Sequence, residues 1–99
     1  MKPKLYKIRS LKNVNEQDLP SLPKKIRSAV IDIIDDQLTV DPTNSGEPLR
    51  RSLKGHRRVA VDDYRIVYRV NTVKYEVIII TIGHRDIIYK KARKILHRH

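Results

Sequence analysis

The strongest constraint on the fold is a stretch of alternating side chains between residues 56 and 70. Apolar or tyrosine side chains occupy every second position there, and most of the positions between them are basic. Successive side chains of a β-strand point to opposite faces, so this spacing predicts strands with one buried face and one polar face. The pair Asp62-Asp63 interrupts the pattern near its middle. The stretch therefore predicts a β-hairpin.

The turn of this hairpin predicts its register. If Asp62-Asp63 forms a two-residue turn, Val61 pairs with Tyr64, and the other pairs follow by stepping outwards along both strands. One face then carries mostly apolar residues: Arg57, Val59, Val61, Tyr64, Ile66, Tyr68 and Val70. The other is largely basic: His56, Arg58, Ala60, Arg65, Val67 and Arg69. A shift of one residue would mix the two sets, so their separation supports this register.

The N-terminal half predicts one strand and one convincing helix. Residues 4–9 suggest a short edge strand. Residues 13–23 predict at most one helical turn, because they include two prolines. A helix is expected from about Pro23 to Leu38, where apolar residues recur at the spacing of one helical face. The length of 99 residues predicts a single domain over residues 1–99.

The C-terminal part predicts a third strand and a final helix. The strand, at about 75–82, contains the apolar run Val77–Ile80 and shows no alternation, so both of its faces should be covered. The helix at 23–38 can cover one face, and a C-terminal helix, a partner protein or both can cover the other. The apolar residues 78–82 beside basic side chains suggest a groove. The last helix is expected from about Asp86 to the end, with Asp86 as its N-cap.

Charge and composition narrow the classes of function. The formal net charge is +11, and the excess of Lys and Arg lies in residues 50–99, so a polyanionic partner is expected. The absence of Cys excludes disulfides, thiolate zinc sites and cysteine nucleophiles. No apolar run approaches the ~20 residues of a membrane span, and the N-terminus lacks an apolar signal region, so we expect a cytoplasmic protein without a membrane partner. His56, His97 and His99 show no metal-ligand spacing, and neither a metal nor another cofactor is expected.

Four side chains are expected to meet at one end of the sheet. If the third strand runs antiparallel to the second, Arg85 lies near Arg65, and Tyr89 follows Arg85 by one helical turn. His84 precedes Arg85 and joins the same group. Guanidinium groups bind phosphate through two parallel hydrogen bonds, histidine transfers protons near neutral pH, and tyrosine can stack on a base.

The motifs in this region resemble the RelE/ParE family of toxins from bacterial toxin–antitoxin modules. They are Leu53-Lys54-Gly55, a basic strand, Asp63-Tyr64-Arg65-Ile66-Val67-Tyr68, and Ile82-Gly83-His84-Arg85 followed by Tyr89. The resemblance covers residues 49–89 well, and the N-terminal part is compatible with it. It implies an α+β fold in which a curved antiparallel sheet of about four strands packs against N-terminal helices, with a C-terminal helix.

The resemblance also implies an activity. RelE-type members are ribosome-dependent endoribonucleases that cut messenger RNA without metal and are held inactive by an antitoxin. Arg65, Arg85 and Tyr89 match the catalytic positions of that subgroup, and His84 is our own addition. RNA binding is expected from the basic side chains nearby: Lys54, Arg57, Arg58 and Arg69. The expected partners are thus a cognate antitoxin, the ribosome and mRNA.

One residue departs from the pattern of the RelE-type members, so two alternative functions are also considered. The strand that carries Arg58 has Ala60 where a second basic residue is expected, which weakens a proton-shuttling basic pair. One alternative is a ParE-type member, which shares the fold but poisons DNA gyrase. Another is a binding module without catalytic activity, whose basic face holds RNA or an acidic partner.

Overall fold

The strands form a single five-stranded sheet in a computed structural model that describes residues 4–97. The spatial order is β1-β5-β4-β3-β2. Their bounds are β1 (Lys7–Ser10), β2 (Glu47–Pro48), β3 (Arg57–Val61), β4 (Tyr64–Asn71) and β5 (Glu76–His84). The strands predicted at the N-terminus, in the hairpin and after it are all confirmed, and β1 is an edge strand as expected.

The sheet differs from the sequence prediction in two respects. It contains a further strand, β2, which pairs with β3 over only two positions and is too short to show a period. Strand β1 runs parallel to β5, so the sheet is mixed and not wholly antiparallel. The helical residues after β1 carry the chain across one face of the sheet to β2 at the opposite edge.

Helices cover both faces of the sheet. A π-helical turn at Val14–Asp18 leads into α1 (Leu19–Ser21), and α2 (Lys24–Ile33) continues into a second π-helical turn at Ile34–Leu38. The short α3 (Pro42–Ser45) and a 3₁₀ turn at Arg51–Leu53 precede the hairpin, and α4 (Ile88–Leu96) follows β5. The predicted helix at 23–38 is confirmed. No helix within residues 4–97 is long and apolar enough to cross a bilayer.

The prediction of at most one helical turn before Pro23 was wrong. Helical structure extends through Val14–Asp18 and Leu19–Ser21, with Pro20 inside it. The Leu19 N–H donates to the carbonyl of Val14, which is the longer spacing of a π-helix. This wider turn makes room for the ring of Pro20, which would otherwise clash with the preceding turn of an α-helix.

The hairpin register is confirmed. Val61 pairs with Tyr64, and the pairing continues without a shift to Arg57 and Tyr68. Asp62, at the turn, has a φ of 52°, a left-handed conformation that Asp tolerates better than most residues. On the face predicted to be apolar, four residues are buried in the core beneath α2: Val59, Val61, Ile66 and Tyr68.

A bulge changes which residues of β5 face each side of the sheet. The register between β4 and β5 shifts between Val67 and Tyr68, and Ile80 is the extra residue of β5. Val77, Ile79 and Ile82 belong to the core beneath α2, whereas Ile80 packs with Val67 in a second cluster beneath α4. Both faces of β5 are therefore covered, as predicted.

This coverage corrects the expected apolar groove. Ile80 and Ile82 are buried by the fold itself, and Ile78 is only half-buried. The floor predicted over residues 78–82 is therefore reduced to Ile78. Ile80 is covered by Ile88 and Ala92 of α4, whereas Ile82 lies on the other face in the core beneath α2.

The start of α4 also differs from the prediction. The N-cap residue is Ile87, and no side chain caps the helix there, so Asp86 is not the N-cap. Instead, the Asp86 N–H donates to Nδ1 of His84 at 3.2 Å. The last two residues of the predicted helix lie outside the described residues.

A buried carboxylate binds the edge of β5 just beyond the residues that pair with β1. Asp18 is 3% exposed and accepts hydrogen bonds from Thr81 Oγ1 at 2.8 Å and from the Ile82 N–H at 3.1 Å. Asn13 Nδ2 donates to it at 3.1 Å, and Lys91 of α4 forms an ion pair with it. Asp18 thus joins the N-terminal helical segment, β5 and α4.

Candidate functional site

A cleft of about 310 Å³ lies at the outer edge of β3. Strand β2 pairs only with Arg57 and Arg58, so the edge of β3 is open at Ala60. The lining residues come from β3, β4 and the segment that leads into β2: Ser45, Gly46, Glu47, Arg58, Val59, Ala60 and Arg65. Two guanidinium groups and one carboxylate therefore line a single cleft.

Arg58 is the centre of the polar network in this cleft. Its Nη1 donates to the Tyr89 hydroxyl at 2.7 Å, and its Nη2 lies 2.9 Å from Glu47 Oε2. The guanidinium carbon is 5.8 Å from the centre of the Tyr89 ring. The Arg58 guanidinium thus binds Tyr89 of α4 through one terminal nitrogen and Glu47 of β2 through the other.

The network changes the acidity of its members. The hydrogen bond from Arg58, and then its positive charge, lower the pKa of the Glu47 carboxyl below its ordinary value of 4.5. Conversely, the hydrogen bonds to Glu47 and then to Tyr89 raise the pKa of Arg58. Glu47 is therefore ionised at neutral pH, in the form that can accept a proton.

Arg65 and Arg85 meet at the turn of the hairpin. Arg65 Nη1 donates to the carbonyls of Asp62 and Tyr64 at 2.9 and 2.8 Å. The Arg85 N–H donates to the Asp63 carbonyl at 2.8 Å, and its Nη1 lies 3.8 Å from Asp63 Oδ1. Both arginines thus contact the hairpin turn, Arg65 at Asp62 and Tyr64 and Arg85 at Asp63.

His84 does not join them. Its ring packs edge-on against Tyr64 with centroids 5.4 Å apart, and Tyr64 packs on the core beneath α2. His84 lines a different cleft, together with Gln17 of the N-terminal helical segment and Lys91. The structure does not bring all four residues into one group: Tyr89 contacts Arg58, and the bulge in β5 turns the His84 side chain toward the face that carries Ile82.

The residues predicted to bind RNA are dispersed. Arg58 lies in the cleft, whereas Arg57 donates to the Gly46 carbonyl at 2.5 Å and supports the loop before β2. Arg69 is exposed beside Ile78 in another groove, and Lys54 is exposed after the 3₁₀ turn.

Glu47 is the cleft residue that sequence analysis missed. It follows Gly46, where a Cβ atom would lie 2.3 Å from the Arg58 carbonyl oxygen and 2.6 Å from the Tyr68 hydroxyl. Only glycine permits this approach of the loop to β3. The Tyr68 hydroxyl donates to the Pro42 carbonyl at 2.7 Å, which fixes the same loop from below. In the sequence, Glu47 stands between Gly46 and Pro48, and this combination is typical of an ordinary surface turn, so it did not indicate a cleft residue.

Metal ligands are not clustered in the part of the chain that the structure describes. Residues 4–97 contain no group of three or more His, Cys, Asp or Glu side chains placed to hold an ion. The polar atoms of the cleft are instead hydrogen-bond donors and one carboxylate.

The sequence matches a family described as the ParE toxin of type II toxin–antitoxin systems over residues 10–89. The toxin RelG of Mycobacterium tuberculosis is 35% identical over 75 residues, which cover 76% of this chain and 86% of RelG. The toxin RelE of the same organism is also 35% identical, over 75% of this chain and 76% of RelE.

The chain belongs to the RelE/ParE toxin family. A chain of the RelBE2 toxin–antitoxin complex from M. tuberculosis superimposes with a TM-score of 0.76 and 32% identity, over 85% of this chain and 95% of that one. The free RelE toxin of Escherichia coli, at 19% identity, shares the fold with a TM-score of 0.72, over 91% of this chain and 96% of that one. The family resemblance and the α+β fold are thereby confirmed.

Proposed function

We propose that this chain is the toxin of a type II toxin–antitoxin module and acts as a ribosome-dependent endoribonuclease on mRNA. The observation that supports this activity most is the cleft shared by Arg58 and Arg65, with Glu47 ionised beside them and Tyr89 bound to Arg58. These groups match what cleavage of a phosphodiester requires.

The proposed reaction is attack by an RNA 2′-hydroxyl on the adjacent phosphate. A bond forms between the 2′-oxygen and phosphorus, and the bond between phosphorus and the 5′-oxygen of the next nucleotide breaks. The products are a 2′,3′-cyclic phosphate and a 5′-hydroxyl end. The 2′-hydroxyl loses a proton and the leaving oxygen gains one, so the reaction needs general acid–base catalysis but no co-reactant.

The side chains in and beside the cleft divide these tasks. Arg65 and Arg85 stabilise the additional negative charge on the phosphate, which develops only in the transition state. Glu47, in its ionised form, accepts the proton of the 2′-hydroxyl in place of a basic residue at Ala60, and a water molecule supplies the proton that the leaving 5′-oxygen gains. Tyr89, held by Arg58, positions or stacks the base. His84 has no part in this arrangement, because it lines a different cleft.

A cognate antitoxin is the expected regulator. Structures related to this chain are toxin–antitoxin complexes, such as RelBE2 of M. tuberculosis. An antitoxin that crosses the exposed basic side chains should carry acidic residues. Its apolar contact is expected at Ile78, the only part of the predicted floor that is not fully buried.

The first test is the loss of mRNA cleavage in an Arg65→Ala variant. Removing one charge-stabilising donor costs about a hundred- to a thousandfold in rate. After induction, primer extension on a translated message should show codon-phased cuts with the wild-type chain and none with Arg65→Ala or Arg85→Ala. Arg9→Ala is a matched control, because Arg9 is exposed on β1 at the other edge of the sheet.

The same experiment separates the alternatives. Full toxicity of both Arg65→Ala and Arg85→Ala, at wild-type expression, would overturn the proposal. DNA breaks with a damage response would indicate a gyrase poison instead, which the description of the matching family keeps as the second candidate. If the wild-type chain produces neither cuts nor breaks, a non-catalytic binding module is the better explanation.

A further inference from the structure

Helix α4 carries a basic surface that the proposed chemistry does not use. Its apolar side packs inward, with Ile88 and Ala92 fully buried. Lys90, Arg93 and Lys94 are exposed on the outer side at the i, i+3, i+4 spacing of one helical face. These three residues are called the α4 basic stripe below.

The stripe differs from the neighbouring Lys91 in its contacts. Lys91 forms an ion pair with the buried Asp18 and is committed to the fold. Among residues 4–97, none of the carboxylates is within ion-pair distance of Lys90, Arg93 or Lys94. The segment Ile88–Leu96 contains no acidic residue either. The positive charge of the stripe is therefore available to an external anion.

Two properties favour RNA over a protein as that anion. Lysine is depleted in protein–protein interfaces, where aromatic and apolar side chains dominate. The apolar side chains of α4 already pack in the fold, so what remains at the stripe consists of flexible cationic groups. Such groups suit phosphates, whose contacts are sequence-independent and tolerate variable geometry.

The position of the stripe links it to the cleft. Tyr89 precedes Lys90 in the chain and contacts Arg58, which lines the cleft. An RNA strand that leaves the cleft past Tyr89 would thus reach the next turns of α4, about 1.5 Å per residue further along the helix axis.

We propose that the α4 basic stripe is a second RNA-binding site, which holds the phosphate backbone of RNA adjacent to the cleft. The inference rests on the proposed function, since it assumes that RNA occupies the cleft. It assigns binding to the stripe and leaves the chemical step to the cleft.

The test measures binding of the full chain to a single-stranded 2′-O-methyl RNA by fluorescence anisotropy. This RNA lacks the free 2′-hydroxyl, so it cannot be cut, and binding is observed separately from cleavage. The variant Lys90→Gln/Arg93→Gln/Lys94→Gln removes the charges with residues that favour helices similarly. Affinity should fall at least about tenfold near physiological salt, and the slope of log K against log salt should decrease in magnitude by about 2.

The matched control is Lys12→Gln/Lys24→Gln/Lys25→Gln, which removes the same charge from exposed positions in the N-terminal helical region. The control should retain the wild-type affinity and slope. Equal losses in both variants would show that only net charge matters, and an unchanged affinity in the stripe variant would remove the site; either result overturns the proposal. An equal loss of binding to poly-L-glutamate would also overturn it, because the stripe would then have no preference for RNA.

The binding test and the cleavage test can fail separately, because one measures RNA binding and the other measures cuts. Loss of RNA binding in the stripe variant, combined with no cleavage by the wild-type chain, would support the stripe and refute the nuclease. Codon-phased cleavage that depends on Arg65, with wild-type RNA binding in the stripe variant, would support the nuclease and refute the stripe as an RNA-binding site.

Discussion

Asp18 is the residue in which the local sequence and the final structure differ most. It lies in a polar segment, next to exposed Glu16 and Gln17, yet it is buried and bound to Thr81, Ile82 and Lys91. A buried carboxylate is tolerated only when hydrogen bonds and a counter-charge satisfy it. Its partners are distant in the chain, so the local sequence contains no sign of its burial.

Asp18→Ala should destabilise the fold by about 3 kcal/mol. The substitution leaves the Lys91 ammonium and two buried donors without their acceptor. Urea unfolding measures the change, with Glu16→Ala as the control because Glu16 is exposed. Asp18→Asn should lose less, since the amide oxygen still accepts a hydrogen bond. A free energy of unfolding of Asp18→Ala within about 0.5 kcal/mol of wild type would contradict the role given to this residue.

Glu47 should titrate below its ordinary pKa, and Arg58 is the cause. A lowered pKa means that the Glu47 carboxylate is more than half ionised at its ordinary value of 4.5 and becomes mostly protonated only at a pH below that value. The contribution of the Arg58–Glu47 pair to folding is therefore present above that pH and lost during acidification. Carbon-detected NMR of the Glu47 carboxyl should give a midpoint below 4.5 in the wild-type chain and a higher one in Arg58→Met. An identical midpoint in both proteins would disprove the coupling.

At the scale of elements, the packing of α4 onto the sheet determines where Tyr89 lies. Ala92 is fully buried against the second cluster, which includes Val67 and Ile80. A small residue there allows the helix axis to approach the sheet. The distance between α4 and β3 in turn sets the 2.7 Å contact between Tyr89 and Arg58.

Ala92→Leu should therefore disturb both stability and the cleft. Additional methylene groups in a packed core cost about 1–3 kcal/mol, and the helix can relieve them only by moving away from the sheet. The free energy of unfolding in urea should decrease by that amount, and mRNA cleavage should fall with it. Lys90→Leu adds a similar side chain at an exposed position of the same helix and should leave stability within about 0.5 kcal/mol. Equal stability of the two variants would contradict this packing.

At the scale of the whole molecule, the net charge of +11 governs association more than folding. Two groups of basic side chains in the described part of the chain are the arginines of the hairpin, two of which line the cleft, and the α4 basic stripe, whose helix contacts the cleft residue Arg58 through Tyr89. A polyanion would thus be attracted to the side of the molecule where the proposed chemistry occurs.

The affinity of a cognate antitoxin should fall as salt increases. Exposed charges are screened over about 8–10 Å at physiological salt, so an interface based on charge weakens when ions are added. Titration calorimetry at two salt concentrations measures this, with the buried apolar contact at Ile78 expected to retain some binding. Salt-independent binding by an antitoxin without acidic residues would contradict the charge complementarity.

The sequence by itself determined the hairpin, its register and the helix ending at Leu38. In these segments the side chains on each face differ in polarity, and a period of two or 3.6 residues is a local property of the chain. The placement of Arg65 and Arg85 at the hairpin turn followed from the same local information, because a tight turn and an antiparallel neighbour leave little freedom.

The tertiary structure alone decided the remaining features. It placed Glu47 opposite Arg58 in a two-residue strand, oriented His84 away from the arginines through a bulge, and buried Asp18 beneath α4. Each of these depends on which distant segments pair and pack, and no periodicity within one segment encodes that choice. The residues of the catalytic proposal were therefore partly visible in the sequence, whereas Glu47, the proposed proton acceptor, became visible only when the sheet was assembled.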